Sequence, residues 1–220
     1  MSLKPYSRTL YDFYFFDLDG TLTDPGEGIT ASVRYALKKL GIDPPEKGAL
    51  YDFIGPPLKE SFSRYFPSDE EKQDLAVRFY REYFSVTGIF ENAVYEGVPE
   101  ALSRLRTSGK TLFVATSKPE KYAVEILRHF GLDEFFSSVF GATMDGSRSR
   151  KDDVISFALR TLGFSDGEKG RALMVGDRNY DVEGARKNGI RSAAVTYGYG
   201  SEAELLASSP DHLFARPDDW

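Results

Sequence analysis

The 220-residue sequence predicts an α/β protein with a doubly wound parallel sheet, into which a helical domain is inserted. Three observations support this prediction. Short apolar, β-branched or aromatic runs alternate with amphipathic segments, which is typical of buried parallel strands joined by helices. Four amphipathic segments end in glycine followed by an apolar residue, a common way for a helix to end. The stretch between the first two strands is much longer than a single crossover helix requires.

The elements follow from these patterns in chain order. The predicted strands cover residues 12–16, 111–115, 138–140, 172–175, 192–196 and 212–214. The predicted helices cover about 28–40, 58–66, 69–86, 97–108, 119–130, 151–162, 179–188 and 202–207. Ligands of such sheets bind at the carboxyl ends of the strands, so reactive side chains are expected there.

The long stretch after the first strand is predicted to be a separate helical domain over residues 25–96. It would divide the main domain into residues 1–24 and 97–220. Its aromatic residues are expected mostly to form a small core of their own.

Composition excludes several classes of function. The 28 Lys and Arg against 34 Asp and Glu give a net charge of −6, and no basic stripe is present, so a nucleic-acid polymer is not an expected partner. The absence of cysteine excludes disulfides, thiolate catalysis and Cys-ligated metals. Neither a secretory signal nor an apolar run of membrane-spanning length is found, so we expect a cytoplasmic protein without a membrane partner.

Two aspartates follow the first predicted strand directly. Because side chains at i and i+2 of an extended chain point the same way, Asp17 and Asp19 are expected to converge at the strand's carboxyl end. Two carboxylates there require a nearby cation or a shared proton, which suits a nucleophile or metal ligand beside an acid/base. A calcium loop of the EF-hand type is excluded, because Leu22 stands where that loop needs glycine. A purely structural acidic turn is the remaining alternative.

Other strand ends carry further candidates. Thr116 and Ser117 precede a predicted helix, where hydroxyls and helix amides would suit a phosphate group. Asp177 and Asp181 follow the strand 172–175, although Asp181 equally suits an ordinary helix cap.

Lys151 begins a predicted helix, where its charge opposes the helix dipole. A fixed ammonium that balances carboxylates or binds a phosphoryl group would explain this position. Simple solvent exposure would explain it equally well, and Arg148 or Arg150 could supply the same charge.

One further glycine pattern does not identify a binding site. Residues 198–203, GYGSEA, match the glycine pattern of dinucleotide-binding turns. Only 17 residues follow Ala203, too few for the required βαβ unit and its downstream acid.

Four motifs together resemble those of the haloacid dehalogenase superfamily: DLDGT at 17–21, the strand ending at Thr116, Lys151, and GDRNYD at 176–181. They occur in the family's order and extend over the whole chain. The insertion directly after DLDGT is similar to that family's helical cap, and the remainder to its Rossmann-like core. The segments TDPGEGI, FIGPPL, YEGV, TSKP and GDRNYDVEGA are most similar to phosphoglycolate phosphatase-like enzymes and related 5′-nucleotidases.

The resemblance implies a role for each matching residue. Asp17 would be the nucleophile that forms an aspartyl-phosphate, and Asp19 would protonate the leaving oxygen and then activate water. Thr116 and Lys151 would bind the phosphoryl group, with Lys151 also steadying Asp17.

The resemblance also implies a Mg²⁺ cofactor. Asp17, Asp177 and the backbone carbonyl of Asp19 would hold the ion, supported by Asp181. Mg²⁺ suits these positions because it prefers oxygen ligands, usually carboxylates and a phosphate oxygen.

The expected activity is therefore Mg²⁺-dependent hydrolysis of a small phosphate monoester, of the phosphoglycolate phosphatase type. A 5′-nucleotidase acting on nucleoside monophosphates and a phosphomutase are the enzymatic alternatives. A phosphoreceiver signalling domain is the alternative from another class, although the acid two residues after the nucleophile and the insertion argue against it. The sequence leaves both monomer and dimer open.

Overall fold

In the computed structural model, which describes residues 6–7 and 10–220, six parallel strands form one sheet. The strands are β1 (Phe13–Phe16), β4 (Thr111–Pro119), β5 (Ser138–Ala142), β6 (Ala172–Gly176), β7 (Arg191–Val195) and β8 (His212–Phe214). Their order in the sheet is β5-β4-β1-β6-β7-β8, so the chain first extends to one side of β1 and then to the other. This arrangement confirms the doubly wound, Rossmann-like α/β fold.

Helices connect these strands and form most of the insertion. They are α1 (Gly26–Lys39), α2 (Leu58–Ser63), α3 (Glu70–Tyr83), α4 (Val98–Thr107), α5 (Glu120–His129), α6 (Lys151–Leu162), α7 (Asp166–Lys169), α8 (Asn179–Lys187) and α9 (Glu202–Ser208). No helix within residues 6–7 and 10–220 is both long enough and apolar enough to cross a membrane.

The chain divides into two compact units. The sheet unit comprises Met1–Asp24 and Val94–Trp220, and the inserted unit comprises Pro25–Ala93. The short strands β2 (Thr23–Asp24) and β3 (Ala93–Val94) pair where the chain passes between the units. The catalytic and cap roles expected for the two domains stay predictions.

The inserted unit has an apolar core of its own. Helix α1 packs against α3, and Leu37, Leu50 and Phe62 are fully buried. The rings of Phe53 and Phe62 meet edge to face, with centroids 5.0 Å apart. Most of its aromatic residues are thus used for packing, although Tyr51 remains 37% exposed.

Strand β1 is covered on both faces, as its continuous apolar sequence predicts. Phe15 stacks on Phe113 of β4 with ring centroids 4.9 Å apart, and its side of the sheet packs against α6. Phe16 contacts Trp220 with centroids also 4.9 Å apart. Burial of both faces fixes β1 in the centre of the sheet, where its carboxyl end meets those of β4 and β6.

Several local elements differ from the sequence-based expectation. Strand β4 continues to Pro119 instead of ending at Ala115, and its pairing with β5 shifts register between those two residues. Such bulges re-aim side chains next to them, which a propensity pattern does not reveal. The short helix α7 was not expected, although Ser165 and Glu168 form a complete capping box at its start. A 3₁₀ helix over Lys47–Phe53 was missed for lack of periodicity.

Candidate active site

The central strand carries the first acidic residues to one edge of the sheet. Phe16 is in register with Val114 of β4 and Val175 of β6. Asp17 is therefore the first residue after the paired part of β1, and its N–H donates to the carbonyl of Val175 at 2.9 Å. Residues that follow β4 and β6 lie at this same edge, as parallel pairing requires.

Lys151, at the start of α6, is buried and has three acceptors within reach. Its Nζ lies 2.8 Å from Asp17 Oδ1, 2.8 Å from Asp181 Oδ1 and 3.0 Å from the carbonyl of Ala115. An ammonium group has three N–H bonds, so these partners satisfy it fully. Solvent exposure is therefore excluded for Lys151, and the unfavourable helix position is explained by the two carboxylates.

The two arginines considered in its place have other partners. Arg148 pairs with Glu120 at 3.4 Å, and its guanidinium carbon lies 3.8 Å from the ring centroid of Phe157. Arg150 is exposed and pairs with Asp152 at 3.4 Å. The partners of these two arginines thus differ from Asp17 and Asp181, the partners of Lys151.

Three buried carboxylates form a compact group. Asp17, Asp177 and Asp181 each place one oxygen within 4.8 Å of the others. Lys151 is the ammonium that forms ion pairs with this group, so the three carboxylates, when all are ionised, carry a formal excess of two negative charges over it. Asp177 Oδ1 is buried and has no hydrogen-bond partner among the described residues. Hard oxygen donors with two uncompensated charges fit a divalent cation such as Mg²⁺.

The pKa values of these side chains reflect the excess of negative charge in the group. Burial, followed by the charges of Asp181 and Asp17, raises the pKa of Asp177 well above its ordinary value. Burial likewise raises the pKa of Asp181, even though Lys151 acts in the opposite direction. Burial disfavours the charged form of Lys151, but Asp17 and Asp181 outweigh it and raise the pKa of this ammonium.

Asp181 serves two purposes at once. Its Oδ2 accepts a hydrogen bond from the N–H of Arg178 at 3.1 Å, just before α8 begins. Its other oxygen pairs with Lys151. The helix-cap interpretation and the proximity to Asp177 are therefore both correct, because one carboxylate can accept on two sides.

Asp19 stands apart from the three-carboxylate group. Its Oδ2 pairs with Nζ of Lys118 at 2.5 Å, and both side chains are buried. Burial raises the pKa of Asp19, although Lys118 acts to lower it. Lys118 was missed by the sequence analysis. The available signal was its spacing of two residues from Thr116, since alternate residues of a strand share a face.

Thr116 is buried at the same end of β4, and its hydroxyl oxygen accepts from the N–H of Lys118 at 3.2 Å. Ser117 is partly buried. Helix α5 begins at Glu120, one residue after its expected start. The phosphate cradle of Thr116 and Ser117 stays a prediction.

Comparison with known proteins identifies the class. Residues 14–195 match the family of haloacid dehalogenase-like hydrolases, and the chain belongs to that family. It is an enzyme of the phosphatase type, as the motifs predicted. A predicted phosphatase from Clostridium acetobutylicum has a similar crystal structure, with a TM-score of 0.91 and 45% identity over 96% of both chains.

Curated relatives carry more than one name. A 5′-nucleotidase of Pseudomonas aeruginosa is 48% identical over 93% of this chain and 91% of its own length. The tyrosine-protein kinase PtkA of Mycobacterium tuberculosis is 43% identical over 84% of this chain, and the matched part covers 62% of the length of that protein. A phosphoglycolate phosphatase of Agrobacterium fabrum is 31% identical over 93% of this chain and 88% of its own length.

Proposed function

We propose that this protein is a Mg²⁺-dependent phosphatase that hydrolyses small phosphate monoesters through a phosphoryl group on Asp17. The observation that carries the proposal is the buried Lys151, which contacts Asp17 and Asp181 while two negative charges of the group stay uncompensated. Phosphoryl transfer depends mainly on positioning and charge neutralisation, and this arrangement offers both.

In the first half-reaction, a carboxylate oxygen of Asp17 attacks phosphorus and the bond from phosphorus to the ester oxygen breaks. Asp19 gives its proton to the departing oxygen, which leaves as an alcohol. The buried environment that raises the pKa of Asp19 favours the protonated form required for this step. Thr116 and Lys151 bind the non-bridging phosphoryl oxygens, and Lys151 gives up one of its three present acceptors to do so.

In the second half-reaction, water attacks the phosphorus atom of the Asp17 phosphate. Asp19, now ionised, accepts a proton from that water, while the bond between phosphorus and Asp17 breaks. Inorganic phosphate is released, and both aspartates return to their starting protonation states. Lys118 pairs with the ionised form of Asp19 through the contact at 2.5 Å.

Asp17 and Asp177 would hold Mg²⁺ together with the backbone carbonyl of Asp19, and Asp181 would support that set of ligands. A divalent cation there would neutralise negative charge on the phosphoryl oxygens and favour the approach of an anionic nucleophile. Asp177 Oδ1, which has no hydrogen-bond partner in the part of the chain that the structure describes, and the excess of negative charge support this assignment.

For the substrate, we favour nucleoside 5′-monophosphates, because the 48%-identical relative over nearly its whole length is a 5′-nucleotidase. Phosphoglycolate is the second candidate, supported by the sequence motifs and by the 31%-identical phosphoglycolate phosphatase. In this proposal the inserted unit is the cap that selects between them.

The test is phosphate release from nucleoside 5′-monophosphates, phosphoglycolate, sugar phosphates, pyrophosphate and p-nitrophenyl phosphate, each with and without Mg²⁺. Asp17→Asn is the inactive control, and Asp12→Asn, which alters a partly exposed aspartate before β1, is the matched variant. Release that needs Mg²⁺ and is lost only in Asp17→Asn supports the proposal. A stable phosphoryl group on Asp17 without turnover would instead favour the phosphoreceiver, and interconversion of sugar phosphates would favour the mutase.

A further inference from the structure

Residues 197–200, Tyr-Gly-Tyr-Gly, follow β7 and lie against the candidate active site, although the proposed chemistry assigns them no role. Their glycines belong to the pattern that resembles a dinucleotide-binding turn. In the structure this segment approaches Asp177, so the glycine pattern has a different cause.

The backbone of the segment contacts Asp177 directly. The N–H of Tyr199 donates to Asp177 Oδ2 at 2.7 Å. A Cβ atom built on Gly198 would overlap both the Asp177 side chain and the carbonyl oxygen of Gly20, and one built on Gly200 would overlap the Asp177 carbonyl. Only glycine allows the backbone to come this close.

The tyrosine side chains extend from the segment to the loop that follows β1. Tyr197 is partly buried and donates its hydroxyl proton to the carbonyl of Thr21 at 2.9 Å. The hydroxyl of Tyr199 donates to Asp24 Oδ1. The segment therefore connects Asp177 to the chain that carries Asp17 and Asp19.

Resting on the proposed function, we propose that residues 197–200 are a positioning segment for the Mg²⁺ site. The segment holds one oxygen of Asp177 with the Tyr199 N–H and leaves the other, Oδ1, without a hydrogen-bond partner among the described residues. A carboxylate that is oriented by a hydrogen bond to one of its oxygens can offer the other oxygen to a cation. Groups that orient a metal ligand in this way affect metal affinity without touching the ion.

The test is a Mg²⁺ titration of the whole protein, read out as the dissociation constant by calorimetry and as the Mg²⁺-induced rise in Tm. Gly198→Ala is expected to weaken Mg²⁺ affinity about 10- to 100-fold, as other outer-shell changes do. Gly167→Ala is the matched control, because a Cβ there would meet only Ser165 Oγ at 4.0 Å. Equal Mg²⁺ affinity in the two variants would overturn the proposal.

Tyr199→Phe keeps the N–H that contacts Asp177 and removes only the hydroxyl bonded to Asp24. It is expected to weaken Mg²⁺ affinity about 3- to 10-fold, in line with the net contribution of one ordinary hydrogen bond. If Gly198→Ala does not fold, an unchanged Mg²⁺ affinity in Tyr199→Phe overturns the proposal. Wild-type protein that releases phosphate but does not bind Mg²⁺ would contradict the metal site and the positioning segment together, whereas unchanged variants of a Mg²⁺-binding wild type contradict the segment alone.

Discussion

Lys118 and Asp19 form a buried ion pair at the carboxyl end of β4, with Nζ and Oδ2 separated by 2.5 Å. The pair is separate from Lys151 and its two carboxylates, so this edge of the sheet contains two buried ammonium groups with different partners. Lys118 balances the aspartate proposed to transfer protons, and Lys151 balances the aspartate proposed to carry the phosphoryl group.

Lys118→Met should impair turnover by removing the cation that fixes the Asp19 carboxylate. We expect kcat to fall by about tenfold or more, a part of the 10²–10⁴-fold that general acid–base catalysis contributes. Loss of one partner of a buried pair should also lower the free energy of unfolding by about 3–5 kcal/mol. Steady-state kinetics and urea unfolding measure both, with the exposed Lys121→Met as control. A kcat equal to that of the control would contradict the role of Lys118.

Asp19→Asn should separate the two half-reactions. With p-nitrophenyl phosphate, whose leaving group needs no proton, Asp17 should still be phosphorylated, but hydrolysis should slow by about 10²–10⁴-fold. The phosphoryl enzyme should then accumulate and be visible by mass spectrometry of the intact protein. With an alkyl phosphate, the first step itself should be slow and no adduct should form. Accumulation with both substrates, or normal turnover, would argue against an acid/base role for Asp19.

Mg²⁺ should stabilise the folded protein, because the three-carboxylate group forms only when the sheet is paired. At a concentration 100 times its Kd, the ion should add about 2.7 kcal/mol to the free energy of unfolding. Asp177→Asn removes one carboxylate and should lose most of this increment, while the exposed Asp166→Asn should retain it. Thermal unfolding with EDTA and with increasing Mg²⁺ measures the effect. Identical curves with and without the ion would rule out a Mg²⁺ site in this group.

Tyr11 should make stability depend on alkaline pH. Burial, with a smaller effect of Asp211, raises the pKa of its phenol to about 12, whereas the unfolded chain ionises near 10. The unfolded state therefore releases its proton first as the pH rises, so the contribution of Tyr11 is complete below pH ~10 and is lost towards pH ~12. This loss amounts to about 2–3 kcal/mol for a shift of two pKa units.

The measurement compares the unfolding free energies of wild type and Tyr11→Phe across this pH range. The variant also lacks the hydrogen bond of 2.7 Å to His212 Nε2, which sets a constant offset at lower pH. The amount by which the unfolding free energy of wild type exceeds that of the variant should decrease between pH ~10 and ~12. A constant difference across that range would contradict the prediction.

The meeting of parallel strands at one edge of the sheet was sufficient to place Asp17 and Asp177 together from the sequence, whereas Asp181 was left open between this edge and an ordinary helix cap. Parallel strands buried on both faces have a strong apolar signal, and the residues after them must meet at one edge. The burial of Lys151 could not be decided in the same way. Its helix position is compatible with solvent, and only the tertiary contact with Asp17 and Asp181 settles it.

Lys118 and the segment 197–200 show where sequence patterns are insufficient. The extension of β4 past Ala115 depends on a register shift against β5, so the spacing of Lys118 from Thr116 is informative only once the strand is known to continue. Gly198 was recognised as part of a pattern, but the reason for a glycine there is the approach of Asp177, which follows another strand, β6. Close approach between distant segments is a tertiary property, so local propensity does not report it.

The central position of β1 has a consequence for synthesis of the chain. Its two neighbours, β4 and β6, begin 111 − 16 = 95 and 172 − 16 = 156 residues after β1 ends. At about 5–20 residues per second, a ribosome needs about 8–30 s to deliver the second of them. Until β4 is made, the four aromatic residues of β1, Phe-Tyr-Phe-Phe, have neither partner strand, and until β6 is made they have at most one. The strand that precedes the proposed nucleophile thus exposes apolar side chains and unpaired backbone groups during synthesis, which a chaperone can cover.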